Sequence, residues 1–510
     1  MLSKTLSTAL LGIDAYLVEV EVDAARGADR TVVVGLPDAA VKESLDRVRS
    51  AISNSGYFQP QSSVVVNLAP ADTRKEGPAF DLPIAIGMLV SDNQLEPVRT
   101  AEYALTGELA LNGTVRPVKG CLSMALECKR AGLRGLIVPE QNAREAAVVK
   151  DLQIIPARTL AEAAGFMCAK LDIAPQEVDI HSIFEEGIQA DIDFSDVKGQ
   201  EHVKRALIVA AAGHHNILLI GPPGSGKTML ARRIPSILPT MQAQEAVETT
   251  RIHSVSGLLP AGRSLVVTRP FRAPHHTCSS AALVGGGTVP KPGEVSLAHK
   301  GVLFLDELPE FSRASLEALR QPLEEGTVTV SRAAMRLTFP AEIMLIAAMN
   351  PCPCGYYGDP KRQCHCSPFQ VQRYMDRISG PLLDRIDIHI EVPAVNYRDL
   401  RSGDGGLSSD DVRRMITTAR ARQAERFAGS RITANATMNP KMIKQHCALE
   451  ASCETLMEQA MAMLGLSARA YTRILKVART IADLDSSENI AVHHISEAIN
   501  YRNLDRAMWR

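Results

Sequence analysis

Two rhythms of hydrophobic and polar positions alternate along roughly the first 165 residues. Short β-branched runs, TVVVGLP (31–37), SSVVVNLAP (62–70) and GLIVP (135–139), are bounded by glycine and proline and predict strands. Between them, DAAVKESLDRVRSAISNSG (38–56) and GCLSMALECKRAG (120–132) predict helices. Strands interleaved with helices make this an α/β domain. From Leu171 to Val197 the rhythm dissolves into an acidic, irregular stretch holding Asp172, Glu177, Asp179, Glu185, Glu186, Asp191 and Asp193, which suits a solvated linker. Order resumes with the helical run GQEHVKRALIVAAAG (199–213) and the apolar strands ILLI (217–220), VLFL (302–305) and MLIAAM (344–349). GTVTVSRAAMRLTF (326–339) alternates on both sides of a polar tip and predicts a hairpin. The loop RSGDGGLSSDD (401–411) reads as a hinge, and the tail beyond it is helical throughout. In LSARAYTRILKVARTIADL (466–484), Tyr471, Ile474, Leu475, Ala478, Ile481 and Ala482 share one helical face, while Arg469, Arg473 and Lys476 share the other.

These patterns predict an α/β domain over 1–168, a linker over 169–193, a second α/β domain over 194–396 and a helical domain over 397–510. A chain of 510 residues can bury a core in each. The 22% charged and 45% hydrophobic composition excludes a disordered chain. The longest apolar runs, such as IAIGMLV (84–90), fall far short of the roughly 20 residues that span a bilayer. The N-terminus has no signal-peptide pattern, so a cytoplasmic protein without a membrane partner is expected. A net charge of −1 excludes a uniformly basic nucleic-acid coat but leaves room for a local basic surface.

Chemistry enters at NILLIGPPGSGKTMLARRI (216–234), where an apolar strand runs into Gly221-Pro222-Pro223-Gly224-Ser225-Gly226-Lys227-Thr228 and then into a helix. Glycines let backbone N–H groups curl around phosphate oxygens, Lys227 reaches the outer phosphates, and Thr228 offers a hydroxyl to Mg²⁺. A chance glycine-rich turn would lack the flanking strand and helix. Downstream, Asp306 and Glu307 end the VLFL strand, where Asp306 suits Mg²⁺ and Glu307 suits activation of the attacking water. An exposed acidic pair is the bland alternative. Asn350 ends the next strand and offers an amide to the γ-phosphate or the water; alone it would be a turn residue. Arg385, in SGPLLDRIDIHIEV, suits a cation supplied to a neighbouring subunit's nucleotide, against a plain salt bridge to Asp384 or Asp387. Arg469 suits either a lid cation or a solvated face. ATP and Mg²⁺ are therefore the expected cofactors.

The features resemble an AAA+ ATPase of the magnesium-chelatase-like group. Through GLPDAAVKESLDRVRSAI, VVNLAPADTRKEGPAFDLPIAIG, GPPGSGKTMLARRIPSILP, RPFRAPHHTCSSAALVGGG, PGEVSLAHKGVLFLDELPEF and SGPLLDRIDIHIEVP the whole chain resembles the ComM or YifB-like family. The resemblance implies a three-layer α/β core with a parallel sheet, a helical lid, and a ring, a hexamer, with ATP between subunits. It implies that Asn350 is sensor 1, Arg385 the arginine finger and Arg469 sensor 2. It also implies a DNA partner: such proteins drive branch migration, a helicase activity, in recombination of transforming DNA. The runner-up is an ATP-dependent remodeller of a protein or cofactor, of the magnesium-chelatase type. KEGPAFDLPIAIG and LTGELALNGTVRPVKG make the first domain similar to the proteolytic domain of Lon, yet Ala79 and Leu122 stand where that chemistry needs a serine and a lysine. Ser123 and Lys119 fall off the pattern, so no protease activity is expected.

Two basic groups are candidates for gripping DNA phosphates. Arg332 and Arg336 lie on the predicted hairpin, which in related ATPases faces the pore; Arg269, Arg272, His275 and His276 precede a glycine-rich segment. A merely solvated hairpin is the alternative. Finally, MNPCPCGYYGDPKRQCHC (349–366) places Cys352, Cys354, Cys364 and Cys366, four of the ten cysteines, within fifteen positions. Four thiolates suffice for a closed structural zinc site, against four reduced thiols in a surface loop; the single-residue gaps are tighter than usual.

Overall fold

The computed structural model describes all residues except 1, 26–29, 61, 187–191, 261, 288–289, 333–334, 361, 396–405, 431, 503 and 505–510. The expected boundary at 396–397 and the first half of the 401–411 loop lie outside the described residues. The chain forms two compact units, Met1–Gly187 with Gln242–Val267, and Ile188–Met241 with Thr268–Arg510.

The first unit is built on a seven-stranded mixed sheet in the order Arg30–Val34, Ser63–Ala69, Asp14–Ala25, Leu2–Leu11, Tyr103–Leu105, Gly135–Pro139, Gln153–Ala157. Only the pairings of Asp14–Ala25 with its two neighbours are antiparallel; the others are parallel. Alternation along Asp14–Ala25 sends Val18, Val20 and Val22 into one core and Ala15 and Leu17 into another, so both faces of the sheet are covered. Helix Asp81–Ser91 is buried at every position, which its apolar sequence permits all the way round. Its Asp81 is tied to Arg47 at 3.0 Å and receives the Leu109 amide at 3.1 Å. Burial nevertheless pushes its carboxyl up to about 6. The segment expected as a linker is partly ordered here: helix Ile180–Glu186 forms, and Ile180, Ile183 and Phe184 pack on the second core.

Residues 242–267, inside the span 194–396 in sequence, belong to the first unit. Helix Ala243–Ser256 lays Ser254 on Gly120, whose amide donates to the hydroxyl at 2.9 Å, and on the buried carboxylate of Glu145. Arg251 pairs with Asp14 and reaches the Ile13 carbonyl at 3.1 Å.

The second unit carries a five-stranded parallel sheet ordered Phe271–Arg272, Val302–Leu305, Met344–Met349, Ile217–Ile220, Ile388–Glu391. Its three central strands are buried along their whole length, as a parallel sheet covered on both faces requires. The C-terminal helices do not form a separate core. Val412, Ile416 and Ala419 of helix Ser409–Arg426, and Ile474, Ala478 and Ile481 of helix Ala468–Leu484, join one cluster with Val203, Leu207 and Ile217. Arg420 and Gln423 donate to the Ala211 and Ala212 carbonyls at the end of helix Glu201–Gly213. The helix face expected to be solvated is only partly so. Arg469 is exposed, but Arg473 pairs with buried Asp387, and Lys476 donates to the Ala436 carbonyl at 2.8 Å.

Candidate nucleotide site

Parallel strands all point their C-terminal ends to one edge, so residues that follow Ile217–Ile220, Val302–Leu305 and Met344–Met349 converge there. The loop after the first of these is shaped by its glycines. Gly224 and Gly226 take φ of +76° and +88°, while a Cβ on Gly221 would stand 2.1 Å from the Val392 carbonyl oxygen. A Cβ at Gly224 or Gly226 would meet nothing within 4 Å, so the cradle they form is open. Helix Lys227–Ile237 starts at once, with no side chain capping it, which leaves its N-terminal amides to an anion.

Lys227 is 8% exposed, and its ammonium donates to the Gly221 carbonyl at 2.8 Å, the Pro222 carbonyl at 3.0 Å and Asn350 Oδ1 at 3.2 Å. Burial pulls its pKa down, while Asp306 and Glu307 work against that shift. The Thr228 hydroxyl donates to Asp306 Oδ2 at 2.7 Å, joining the two oxygens expected at a Mg²⁺ ion. The neighbouring Ser225 hydroxyl is fully buried and has no hydrogen-bond partner among the described residues. Asp306 Oδ1 receives the Glu307 amide at 3.0 Å. Glu307 has φ +52°, uncommon for a residue with a side chain, and its carboxylate lies 3.2 Å from His276 Nδ1. Lys227 with Asn350 and Thr228 with Asp306 thus form two hydrogen-bonded pairs at the start of one helix, a donor and acceptor set that fits a nucleoside triphosphate and its divalent ion.

The two arginines sit otherwise. Arg385 is buried; it pairs with Glu324 of its own chain and donates to the Pro381 carbonyl at 2.5 Å, leaving Nε without a partner. Arg469 is exposed and lies 3.2 Å from Asp384, the residue before Arg385. Sequence reasoning missed the network beside them. Asp387 is 3% exposed and accepts from His215 Nδ1 at 2.9 Å and from Arg473, while His215 Nε2 lies 2.8 Å from the Thr480 hydroxyl. It joins His215, two residues before strand Ile217–Ile220, the end of the Arg385 segment and helix Ala468–Leu484. A histidine doublet at 214–215 gave no periodic signal of this.

The basic candidates divide. Arg269 donates to the Pro239 and Lys300 carbonyls, and Arg272 clasps Glu294 through two bonds of 2.6 and 2.7 Å, so both are committed to the fold. His275 and His276 stack with ring centroids 4.1 Å apart. The hairpin Thr327–Arg332 with Met335–Pro340 is present. Its register pairs Arg336 with Ser331 and Arg332 with Met335, so the two arginine positions fall on opposite faces. Val328, Val330 and Phe339 are buried on the face that carries position 332, whereas Arg336 is exposed; the side chain of Arg332 lies outside the described residues.

Cys352, Cys354, Cys364 and Cys366 converge with all four sulfurs within 4.8 Å of one another. Backbone hydrogen bonds from Tyr356 and His365 hold the Cys354 thiol down to about 6.

Comparison with known proteins now places the chain. Residues 193–400 match the family described as magnesium chelatase, subunit ChlI; residues 20–142 match subunit ChlI of Mg-chelatase, and residues 406–502 its C-terminal part. The chain is 46% identical over 507 residues to the competence protein ComM of Haemophilus influenzae, covering 98% of this chain and 97% of that one. It is 45% identical over 503 residues to YifB of Escherichia coli, with the same coverage. The chain belongs to the ComM/YifB family. It is therefore a magnesium-chelatase-like AAA+ protein, with the parallel sheet and C-terminal helices of that group. Over 149 residues it is also 30% identical to the Lon protease of Halothermothrix orenii, 28% of this chain and 18% of that protein. In the Lon-like unit, Leu122 is fully buried and its amide donates to Glu145 at 2.9 Å. Among the described residues no helix is long and apolar enough to cross a membrane.

Proposed function

We propose that this ComM/YifB-family chain hydrolyses ATP in a ring of subunits, a hexamer, and uses the cycle to move along branched or single-stranded DNA. The observation that carries the ATP half is the pairing of Lys227 with Asn350 and of Thr228 with Asp306 at the sheet's C-terminal edge. In this reading the loop 221–226 and Lys227 would hold the phosphates, and Thr228 and Asp306 would hold a Mg²⁺ ion, which would supply charge neutralisation to the phosphoryl transfer. Glu307 turns from His276 toward the water and takes its proton; Asn350 orients the γ-phosphate. Arg385 leaves Glu324 to reach a neighbour's nucleotide, and Arg469 adds a second cation from the lid. The DNA half is supported by the similarity to the Haemophilus influenzae competence protein and by Arg336, exposed on its hairpin. The deciding experiment is ATPase activity with and without forked, single-stranded and four-way DNA. Stimulation supports the motor. Activity with neither stimulation nor DNA binding at low salt would favour a remodeller of a protein or cofactor, the reading suggested by the chelatase-subunit match.

A further inference from the structure

The four-cysteine loop meets the phosphate loop where Gly355 packs against Pro223. Gly355, directly after Cys354, has φ +86°, and a Cβ on it would stand 2.5 Å from Pro223 Cδ and 2.7 Å from Pro223 Cγ. Pro223 lies in the middle of the loop 221–226, so the Gly355 backbone abuts the Pro223 ring with no room for a methyl group. The same loop is fixed at its ends to Asn350. It leaves directly from that residue, and it returns through helix Pro368–Met375, whose buried Tyr374 hydroxyl feels the Asn350 backbone.

Between those anchors the loop has almost nothing apolar to hold it. Among the described residues of 351–367, only Cys352 and Gly355 are buried, and Tyr357 is 53% exposed. A segment of this kind cannot keep a fixed shape by burial and needs a cross-link or an ion. The sulfurs show how. Cys352 Sγ lies 3.3 Å from Cys354 Sγ and 3.7 Å from Cys364 Sγ, and the latter two are 3.5 Å apart. A tetrahedral zinc tetrathiolate with bonds of about 2.3 Å has sulfur–sulfur edges of about 3.8 Å. The Cys366 amide donates to Cys364 Sγ across 3.4 Å, so the sulfur is also fixed by the loop's own backbone.

We propose that Cys352, Cys354, Cys364 and Cys366 bind a zinc ion that acts as a strut, pinning Gly355 against Pro223 so that tight nucleotide binding requires the metal-filled loop. The proposal rests on the reading of 221–228 as the nucleotide site. Phosphate-cradling amides must be held to about 0.5 Å, so a neighbour that sets the position of Pro223 sets their geometry. Zinc here touches no reacting atom; it acts through Gly355 on the shape of the loop.

The test combines metal analysis of the full-length protein with titration of a fluorescent ATP analogue. The parent is expected to hold one zinc per chain. Gly355→Ala should keep that zinc yet bind the analogue about tenfold more weakly, the size expected when one methyl is forced into a packed contact. Chelating zinc from the parent should give a similar loss, restored by adding back zinc and not by magnesium. Should Gly355→Ala prove unfolded by circular dichroism, Cys364→Ser with Cys366→Ser and the chelation arm read the same coupling. A parent without zinc whose four thiols titrate freely would overturn the metal site. Bound zinc with affinity unchanged, within about twofold, after both Gly355→Ala and chelation would overturn the strut. A parent that binds zinc but no nucleotide would overturn the ATP reading and the coupling together, leaving the four-thiolate site standing.

Discussion

The Thr228 hydroxyl donates to Asp306 Oδ2 across 2.7 Å, linking the end of the phosphate loop to the strand that carries the acidic pair. A divalent ion entering there replaces one hydrogen bond and finds both oxygens already in position. Lys227, by contrast, spends its three protons on Gly221, Pro222 and Asn350. Lys227→Ala should therefore abolish tight ATP binding. Glu307→Gln should bind ATP with parental affinity and lose about 10² to 10⁴-fold in turnover, the range of a lost general base. Equilibrium binding and steady-state hydrolysis on the same preparations separate the two; equal loss of affinity would contradict the assignment.

Arg385 is sequestered by Glu324 within its own chain. If it serves a neighbour's nucleotide, Arg385→Ala should bind ATP normally and turn over roughly 10³ to 10⁵-fold more slowly. Mixing it with Lys227→Ala subunits should restore part of the activity, since some interfaces then join an intact phosphate loop to an intact arginine. Verified mixed rings that stay inactive would confine Arg385 to a structural role.

Asp387 is held by Arg473 and His215 in a buried site. Burial alone would raise its carboxyl, but the Arg473 guanidinium, the hydrogen bond from His215 and the Lys476 ammonium prevail and hold it well below the usual carboxylate range. A carboxyl depressed in the folded state stabilises above its unfolded pKa of about 3.9 and loses that contribution as pH falls below it. Asp387→Asn should cost about 3 to 5 kcal/mol at neutral pH, the penalty for stranding a buried partner. The gap between parent and variant in thermal melts should narrow as pH drops below about 4. A gap that stays constant down to acid would show that Asp387 is not ionised in the fold.

Position 336 lies on the exposed side of its hairpin and position 332 on the valine side. Arg336→Ala should lower the slope of log DNA affinity against log salt by about 1 and weaken binding across sequences. Most of the effect of the double variant with Arg332→Ala should come from this one change. Basal hydrolysis should survive in both. An unchanged slope with unchanged affinity on the same fork would remove the hairpin from the DNA path, with Arg269 and Arg272 already engaged elsewhere.

What could be read along the chain was whatever depends on neighbours in sequence. The phosphate loop announces itself because a strand, glycines at fixed offsets, a lysine and a helix must follow one another to make the turn, and VLFL before Asp306 works the same way. The amphipathic face of 466–484 was legible through its period, down to Ile474, Ala478 and Ile481. Whatever depends on residues far apart in sequence was decided only by the tertiary structure. Helix Ala243–Ser256 has no sequence mark assigning it to the Lon-like unit; that follows from Ser254 meeting Gly120 and Glu145. Arg272, a candidate for DNA phosphates, Arg385, a candidate finger or partner of Asp384 or Asp387, and Arg473, on a face expected to be solvated, found carboxylates 22, 61 and 86 positions away. Charge pairing is a matter of distance in space, which periodicity does not encode. Likewise the cysteine spacing showed that four thiols were available, but only packing brought the glycine beside them against Pro223.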